Sequence, residues 1–139
     1  MIAFTAPTPS LTAAFDLHLQ RAAPILVGRI GTGGVRSHVT VIGGRLEGRP
    51  ESGEVIGGSE TRLERADGVT LVEAAYLIRL ACGATVRGHG TGYEEAGGPL
   101  RLSLLFETPQ EGAVPDAFGR AYVGKQATDS RVMTLHRID

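Results

Sequence analysis

Apolar and polar residues alternate along most of this chain with a period of two. Between positions 70 and 80, Val72, Ala74, Tyr76, Ile78 and Leu80 form one apolar row, and Leu71, Glu73, Ala75, Leu77 and Arg79 form a mixed one. Successive side chains of a strand point to opposite faces, so this pattern predicts a long strand with one face in a core. Val35, Val39 and Val41 alternate with Arg36, His38 and Thr40 in the same way, as do Leu100, Leu102, Leu104 and Phe106 with Arg101, Ser103, Leu105 and Glu107. Further strands are predicted over 14–20, 24–30, 54–64, 84–93, 120–125 and 131–138. The first of these is ambiguous. Ser10 is placed to cap a helix carrying Leu11, Ala14, Phe15, His18 and Leu19, while Phe15, Leu17 and Leu19 read equally as a strand.

Turn residues punctuate these runs. Asp67-Gly68 separates 54–64 from 69–81 and reads as a hairpin turn, because glycine accepts the positive φ such turns need. Cys82-Gly83 reads as the next. Glycine pairs at 33–34, 43–44, 57–58 and 97–98 mark turns, bulges or bends. Eight to ten strands with tight turns and no alternating helices define an all-β fold, either a sandwich or a barrel. The long, glycine-rich strands favour an antiparallel β-barrel, since glycine lets a sheet coil and close.

Composition narrows this picture. A chain of 139 residues fits one domain, here 1–139 with an N-terminal extension over 1–9, and buries roughly two-thirds of its unfolded surface. It has no need of a disulfide or metal to fold. Fourteen Lys and Arg balance 15 Asp and Glu, which gives no electrostatic support for nucleic acid or an anionic membrane as partner. No apolar run approaches a membrane span and the N-terminus carries no signal-peptide pattern, so a cytoplasmic location is expected. The lone cysteine, Cys82, excludes an intramolecular disulfide and fits a reducing compartment. At the end of the apolar run Leu80-Ala81-Cys82, it is expected to be a buried packing residue. The apolar content of 42% is generous for a thin barrel and leaves apolar surface for a homo-oligomer.

The order and spacing of several short motifs resemble a known family. Val41-Ile42-Gly43-Gly44-Arg45-Leu46-Glu47-Gly48 is followed by Gly53-Glu54-Val55-Ile56-Gly57-Gly58-Ser59-Glu60, then Ala66-Asp67-Gly68 and Glu73-Ala74-Ala75-Tyr76. Phe106-Glu107-Thr108-Pro109 and Ala121-Tyr122-Val123-Gly124 follow. Together they resemble domain of unknown function 3237 over residues 10–138. The resemblance implies a calycin-like or allene-oxide-cyclase-like barrel with a polar-lined interior, favours a strand over 14–20, and implies no particular activity. Where the family usually has Gly-Gly-Ala-Asp-Trp, this chain has Gly57-Gly58-Ser59-Glu60-Thr61. Where it usually has Asp-Ala-Arg-Tyr, this chain has Glu73-Ala74-Ala75-Tyr76. Both acids persist as Glu, and the Trp and Arg are gone.

The chemistry-bearing candidates are few. Glu60 and Glu73 lie on strands joined by the 67–68 turn, where positions near 62 and 73 pair. Two carboxylates close together in a lumen would supply a general acid or base. Otherwise they face solvent or pair with Arg62 or Arg79. His38 and His89 sit on the more polar rows of their strands, and His89 shares its row with Thr85, Arg87, Thr91 and Tyr93. Turned inward, that row is a polar wall with a proton-exchanging imidazole; turned outward, it is a solvated face. The small row Ala84, Val86, Gly88, Gly90 and Gly92 does not decide between them. The four histidines show no metal-ligand spacing. Gly31-Thr32-Gly33-Gly34 lacks the lysine and following helix of a phosphate loop and reads as a turn.

The reading is a barrel that binds a small molecule, with no cofactor expected. As an enzyme, an isomerase, cyclase or lyase, it would move protons with Glu60, Glu73 or His89. Arg36 or Arg87 would hold an anionic group, and His38, Tyr76 and Tyr93 would line the site. A non-catalytic binder and a structural or oligomerisation module are the alternatives.

Overall fold

The computed structural model describes residues 6–48, 51–112 and 114–139. Residues 1–5 of the expected N-terminal extension lie outside them. Nine strands follow one another: β1 Leu11–Arg21, β2 Ile25–Arg29, β3 Val35–Gly48, β4 Gly53–Glu64, β5 Thr70–Leu80, β6 Thr85–Glu94, β7 Leu100–Glu107, β8 Tyr122–Gln126 and β9 Val132–Ile138. A four-residue 3-10 turn, Asp116–Gly119, precedes β8. Among the described residues no helix is long and apolar enough to cross a membrane.

All neighbouring strands run antiparallel, in the order β1-β9-β8-β7-β6-β5-β4-β3, and β1 also pairs with β3. That last pairing closes an eight-stranded barrel. The short β2 continues along the first part of β3 as a ninth strand outside the closure. The ambiguous N-terminal segment is strand, not helix. The period-two set Phe15, Leu17 and Leu19 is 2%, 1% and 3% exposed, whereas Leu11 of the helical set is 57% exposed.

Three hairpins share one loop geometry. Backbone N–H groups of Ile30, Arg65 and Leu80 donate to the carbonyls of Gly34, Val69 and Ala84 at 3.0, 2.9 and 2.8 Å. Each encloses three residues, the last a glycine at positive φ: Gly33 at 100°, Gly68 at 85° and Gly83 at 94°. This is a type I turn closed by a left-handed residue, which only glycine adopts without strain. Gly31-Thr32-Gly33-Gly34 is therefore a turn. Cys82 occupies the middle of the third loop and is exposed, which corrects the expectation of a buried packing residue. The apolar row ends at Leu80, 2% exposed, and the loop carries the next residues outward.

The lumen is filled by side chains, and its two ends differ. At one end Phe118 of the 3-10 turn packs against Phe15 and Phe106, each with centroids 5.2 Å away, and Tyr122 lies 5.6 Å from both of those rings. At the other end the inward rows finish in polar residues: Leu19 gives way to Arg21, Gly92 to Glu94, and Gly124 to Gln126. On β6 the small row faces inward, with Val86 and Gly88 buried. A Cβ on Gly90 would sit 1.7 Å from the Ser103 carbonyl oxygen, so β7 presses directly on that backbone.

Candidate functional site

The register of the β4–β5 hairpin decides where its acids point. A two-residue loop at Asp67-Gly68 would put 62 opposite 73 and both acids on one face. The loop actually holds Ala66, Asp67 and Gly68, so Thr61 opposes Glu73 and Glu60 opposes Ala74. A one-residue shift sends a side chain to the other face. Glu60 therefore lies in the lumen, 0% exposed, and Glu73 lies on the exposed outer face. The two expected partners do not meet.

Glu60 instead meets residues from two other strands, β1 and β5, and Arg62 of its own strand. Its Oε1 accepts from Arg21 Nε at 2.8 Å and from Arg62 Nη2 at 3.3 Å. Its Oε2 accepts from Arg21 Nη2 at 2.9 Å and from the Tyr76 hydroxyl at 2.5 Å. Arg21 Nη2 also donates to Gln126 Oε1 at 2.9 Å, and Gln126 Nε2 donates to the Ser130 carbonyl at 2.7 Å. Arg62 Nη1 donates to Glu94 at 2.6 Å, while Arg62 Nε is buried without a hydrogen-bond partner. The cluster grades from the closed interior to the polar end: the Glu60 side chain is wholly buried, and those of Arg21 and Arg62 are 21% and 19% exposed.

Burial alone would raise the Glu60 pKa, but the Arg21 hydrogen bonds and charge, the Tyr76 hydroxyl and the Arg62 charge outweigh it, and the carboxyl is held below its ordinary value. Tyr76 is shifted the opposite way. Burial first, then the neighbouring Glu60 charge, push its hydroxyl well above the usual phenol value. The pair thus rests as carboxylate and neutral phenol. Arg21 is held firmly charged because its bonds to Glu60 outweigh the desolvation that opposes them.

The remaining sequence candidates lie on the outer face. His89 sits opposite Ala75, and its row faces away from the lumen. Its Nε2 is 3.4 Å from Glu107, to which Arg87 donates at 3.0 Å. Glu73, Arg87 and His89 share a shallow outer groove of about 340 Å³, so three of the candidates do meet, but outside the barrel. His38 lies opposite Thr61 and Arg36 opposite Leu63, both on the outer side of β3. Tyr93 lies under the Arg101 guanidinium, 5.5 Å from ring centroid to carbon. Among the described residues no three His, Cys, Asp or Glu side chains stand together as metal ligands would. The groups able to hold an organic anion at the polar end are the Arg21 and Arg62 guanidiniums.

Arg21 and Gln126 were not among the sequence candidates, whereas Arg62 was expected only as an ion-pair partner of the two acids and does pair with Glu60. A signal was present: each continues an inward row at a spacing of two, as in Phe15-Leu17-Leu19-Arg21 and Tyr122-Gly124-Gln126. A charged residue in phase with a buried row is a lumen candidate.

Comparison with known proteins agrees with the fold. No curated protein matches the chain by sequence. A protein of unknown function from Clostridium acetobutylicum ATCC 824 superposes with a TM-score of 0.80 at 22% identity, covering 95% of this chain and 100% of that one. A conserved protein of unknown function from Rhodopseudomonas palustris gives 0.80 at 23% identity, over 96% and 100%. An enzyme from Penicillium herquei gives 0.80 at 20% identity, over 99% and 100%. Residues 9–133 match the family model described as protein of unknown function, DUF3237, and the chain belongs to that family.

Proposed function

We propose that this barrel is an enzyme that moves protons on a small organic substrate with its own side chains, as an isomerase, cyclase or lyase, at the polar end of the lumen. The observation that carries this reading is the buried Glu60 carboxylate fixed by Arg21, Arg62 and Tyr76. A buried ion pair is commonly no more stabilising than well-packed apolar residues of the same volume. Stability alone therefore gives little reason to build one into an otherwise apolar core. In this reading the substrate's anionic or enolic oxygen takes the unused Arg62 Nε and the loosely held Nη2. Tyr76 and Glu60 are closed off from solvent at rest, so in this reading the substrate enters as the polar end opens. Its proton, accepted at the Tyr76 oxygen, is matched by passage of the phenol proton to Glu60, and Arg21 steadies the resulting charge distribution. The structural neighbour described as an enzyme supports catalysis on this fold. A cytoplasmic location belongs to the same reading, on the strength of the single cysteine.

The test is a thermal-shift screen against small carboxylic acids, enols and phenols, because a ligand of the folded state raises its apparent stability. At least one compound should raise the melting temperature of the wild type, with its shift lost in Arg62→Gln and its turnover lost in Tyr76→Phe. Hits that act equally on wild type and both variants would overturn the assignment of this site.

A structural or oligomerisation role is favoured by one specific observation. Ile25, Leu26 and Val27 of β2, a strand paired on one side only among the described residues, are 62%, 70% and 65% exposed. On that reading the protein sediments as an oligomer that Leu26→Lys dissociates, and Tyr76→Phe alters nothing but stability.

A further inference from the structure

The outer surface carries a second feature, remote in kind from the buried cluster. A shallow groove of about 500 Å³ runs across β6, β7, β8 and β9 to the start of β1. Its apolar floor is formed by Leu11, Tyr93 and Val123, and its polar groups include Arg101, Lys125 and His136, with no Asp or Glu in the lining.

The placement of the two strongest cations is costly. Arg101 and Lys125 are direct cross-strand partners, so their side chains leave the same face of the sheet side by side. Like charges in that relation destabilise a sheet. Neither has an ion-pair partner among the described residues. The next residue on the Lys125 side of the row is Thr134, and the carboxylate beyond it, Asp16, accepts from the Thr134 hydroxyl at 2.9 Å. Arg101 is held in place all the same. Its guanidinium lies over the Tyr93 ring at 5.5 Å, and its Nη1 is buried with no hydrogen-bond partner. An unsatisfied buried donor carries a desolvation penalty that a bound acceptor would remove.

We propose that this groove is a binding site for a small organic anion with a flat apolar body. The anionic group bridges Arg101 and Lys125 and satisfies Arg101 Nη1. The apolar body lies along Val123 and Leu11 toward His136. The bridging anion turns a repulsive pair into two attractive ones, which is the physical reason for choosing an anion over a neutral aromatic. The floor, which offers no charge to a polar body, is the reason for choosing an apolar carboxylate over a compact inorganic ion.

The probe is 2-naphthoate, titrated into the isotope-labelled protein and followed by amide chemical shifts. Perturbations are expected at 91–93, 101–103, 123–125 and 136, and 2-naphthamide should give none of comparable size. Losing one charge-assisted hydrogen bond corresponds to about a tenfold rise in Kd, so Lys125→Gln should show a loss of that order. Lys125→Glu separates binding from folding. It should abolish naphthoate binding while raising the urea midpoint of the free protein, because it replaces a like-charge pair by an opposite one. Shifts centred on Arg21 and Arg62, equal binding of the neutral amide, or a Lys125→Glu variant less stable than wild type would each overturn the proposal. So would a concentration-dependent dimer whose formation excludes naphthoate, since the groove would then belong to a second copy of the chain.

Discussion

Glu60 shows how one buried residue ties stability to pH. Removing its charge in Glu60→Gln leaves Arg21 and Arg62 without their shared counter-ion in a mostly desolvated place. We expect a loss of about 3 kcal/mol at pH 7, measured by urea denaturation. Because the folded-state pKa lies below the unfolded one, the carboxylate's contribution is complete above the unfolded carboxyl range. It disappears as pH falls through the folded value. The stability gap between wild type and Glu60→Gln should therefore narrow below roughly pH 4.3. Tyr76 works in the opposite direction. Its folded-state pKa is raised, so its contribution is complete below the unfolded phenol value and is lost with rising pH. Above about pH 10 the wild type should lose stability through this residue, and Tyr76→Phe should lack that component. The candidate residue Glu60 was legible from its place in a motif, but its partners were not. Arg21 and Glu60 are 39 positions apart, and only barrel closure makes them neighbours.

Among the elements, β4, β5 and β6 carry the arrangement. Alternation along β5 was plain in the sequence, and Val72, Ala74, Tyr76, Ile78 and Leu80 are all buried. The relation of β5 to β4 hung on loop length, two residues or three, and that choice put Glu60 inside and Glu73 outside. Alternation could not orient β6 either, because a row of glycines serves a solvent face or a close contact equally well. The close contact is the one found. At Gly90 an added Cβ would overlap the Ser103 carbonyl, which backbone movement alone can relieve. Gly90→Ala is expected to cost about 3 kcal/mol, at the upper end of ordinary overpacking, and a urea midpoint close to that of wild type would refute it. At Gly68, φ is 85°. Gly68→Ala there should cost about 1 kcal/mol by the same measurement.

For the whole molecule, the asymmetry of the barrel matters most. One end is sealed by Phe118 against Phe15 and Phe106, which also pack on Tyr122. The other offers guanidinium and carboxylate groups to solvent. Phe118 is 1% exposed and arrives on a short turn rather than a strand, so its removal empties the seal without breaking a ladder. Phe118→Ala should cost about 3–4 kcal/mol by chemical denaturation. It should leave the Tyr76–Glu60 pH signature intact, since the cluster lies toward the other end.

Local patterning alone makes the chain all-β and antiparallel, favours a barrel over a sandwich, and puts the strands close to where they are found. Alternation and glycine turns are local properties, and local properties are written residue by residue. Tertiary structure alone decided which polar residues share a space. Closure of β1 onto β3, a third residue in one hairpin loop and the inward turn of the β6 glycines are long-range outcomes. They moved His89 and Glu73 to the surface and assembled Arg21, Glu60, Arg62, Tyr76 and Gln126 inside. A side chain's face follows from parity within its own strand, but its neighbours follow from register between strands, and register is fixed by the packing of the whole.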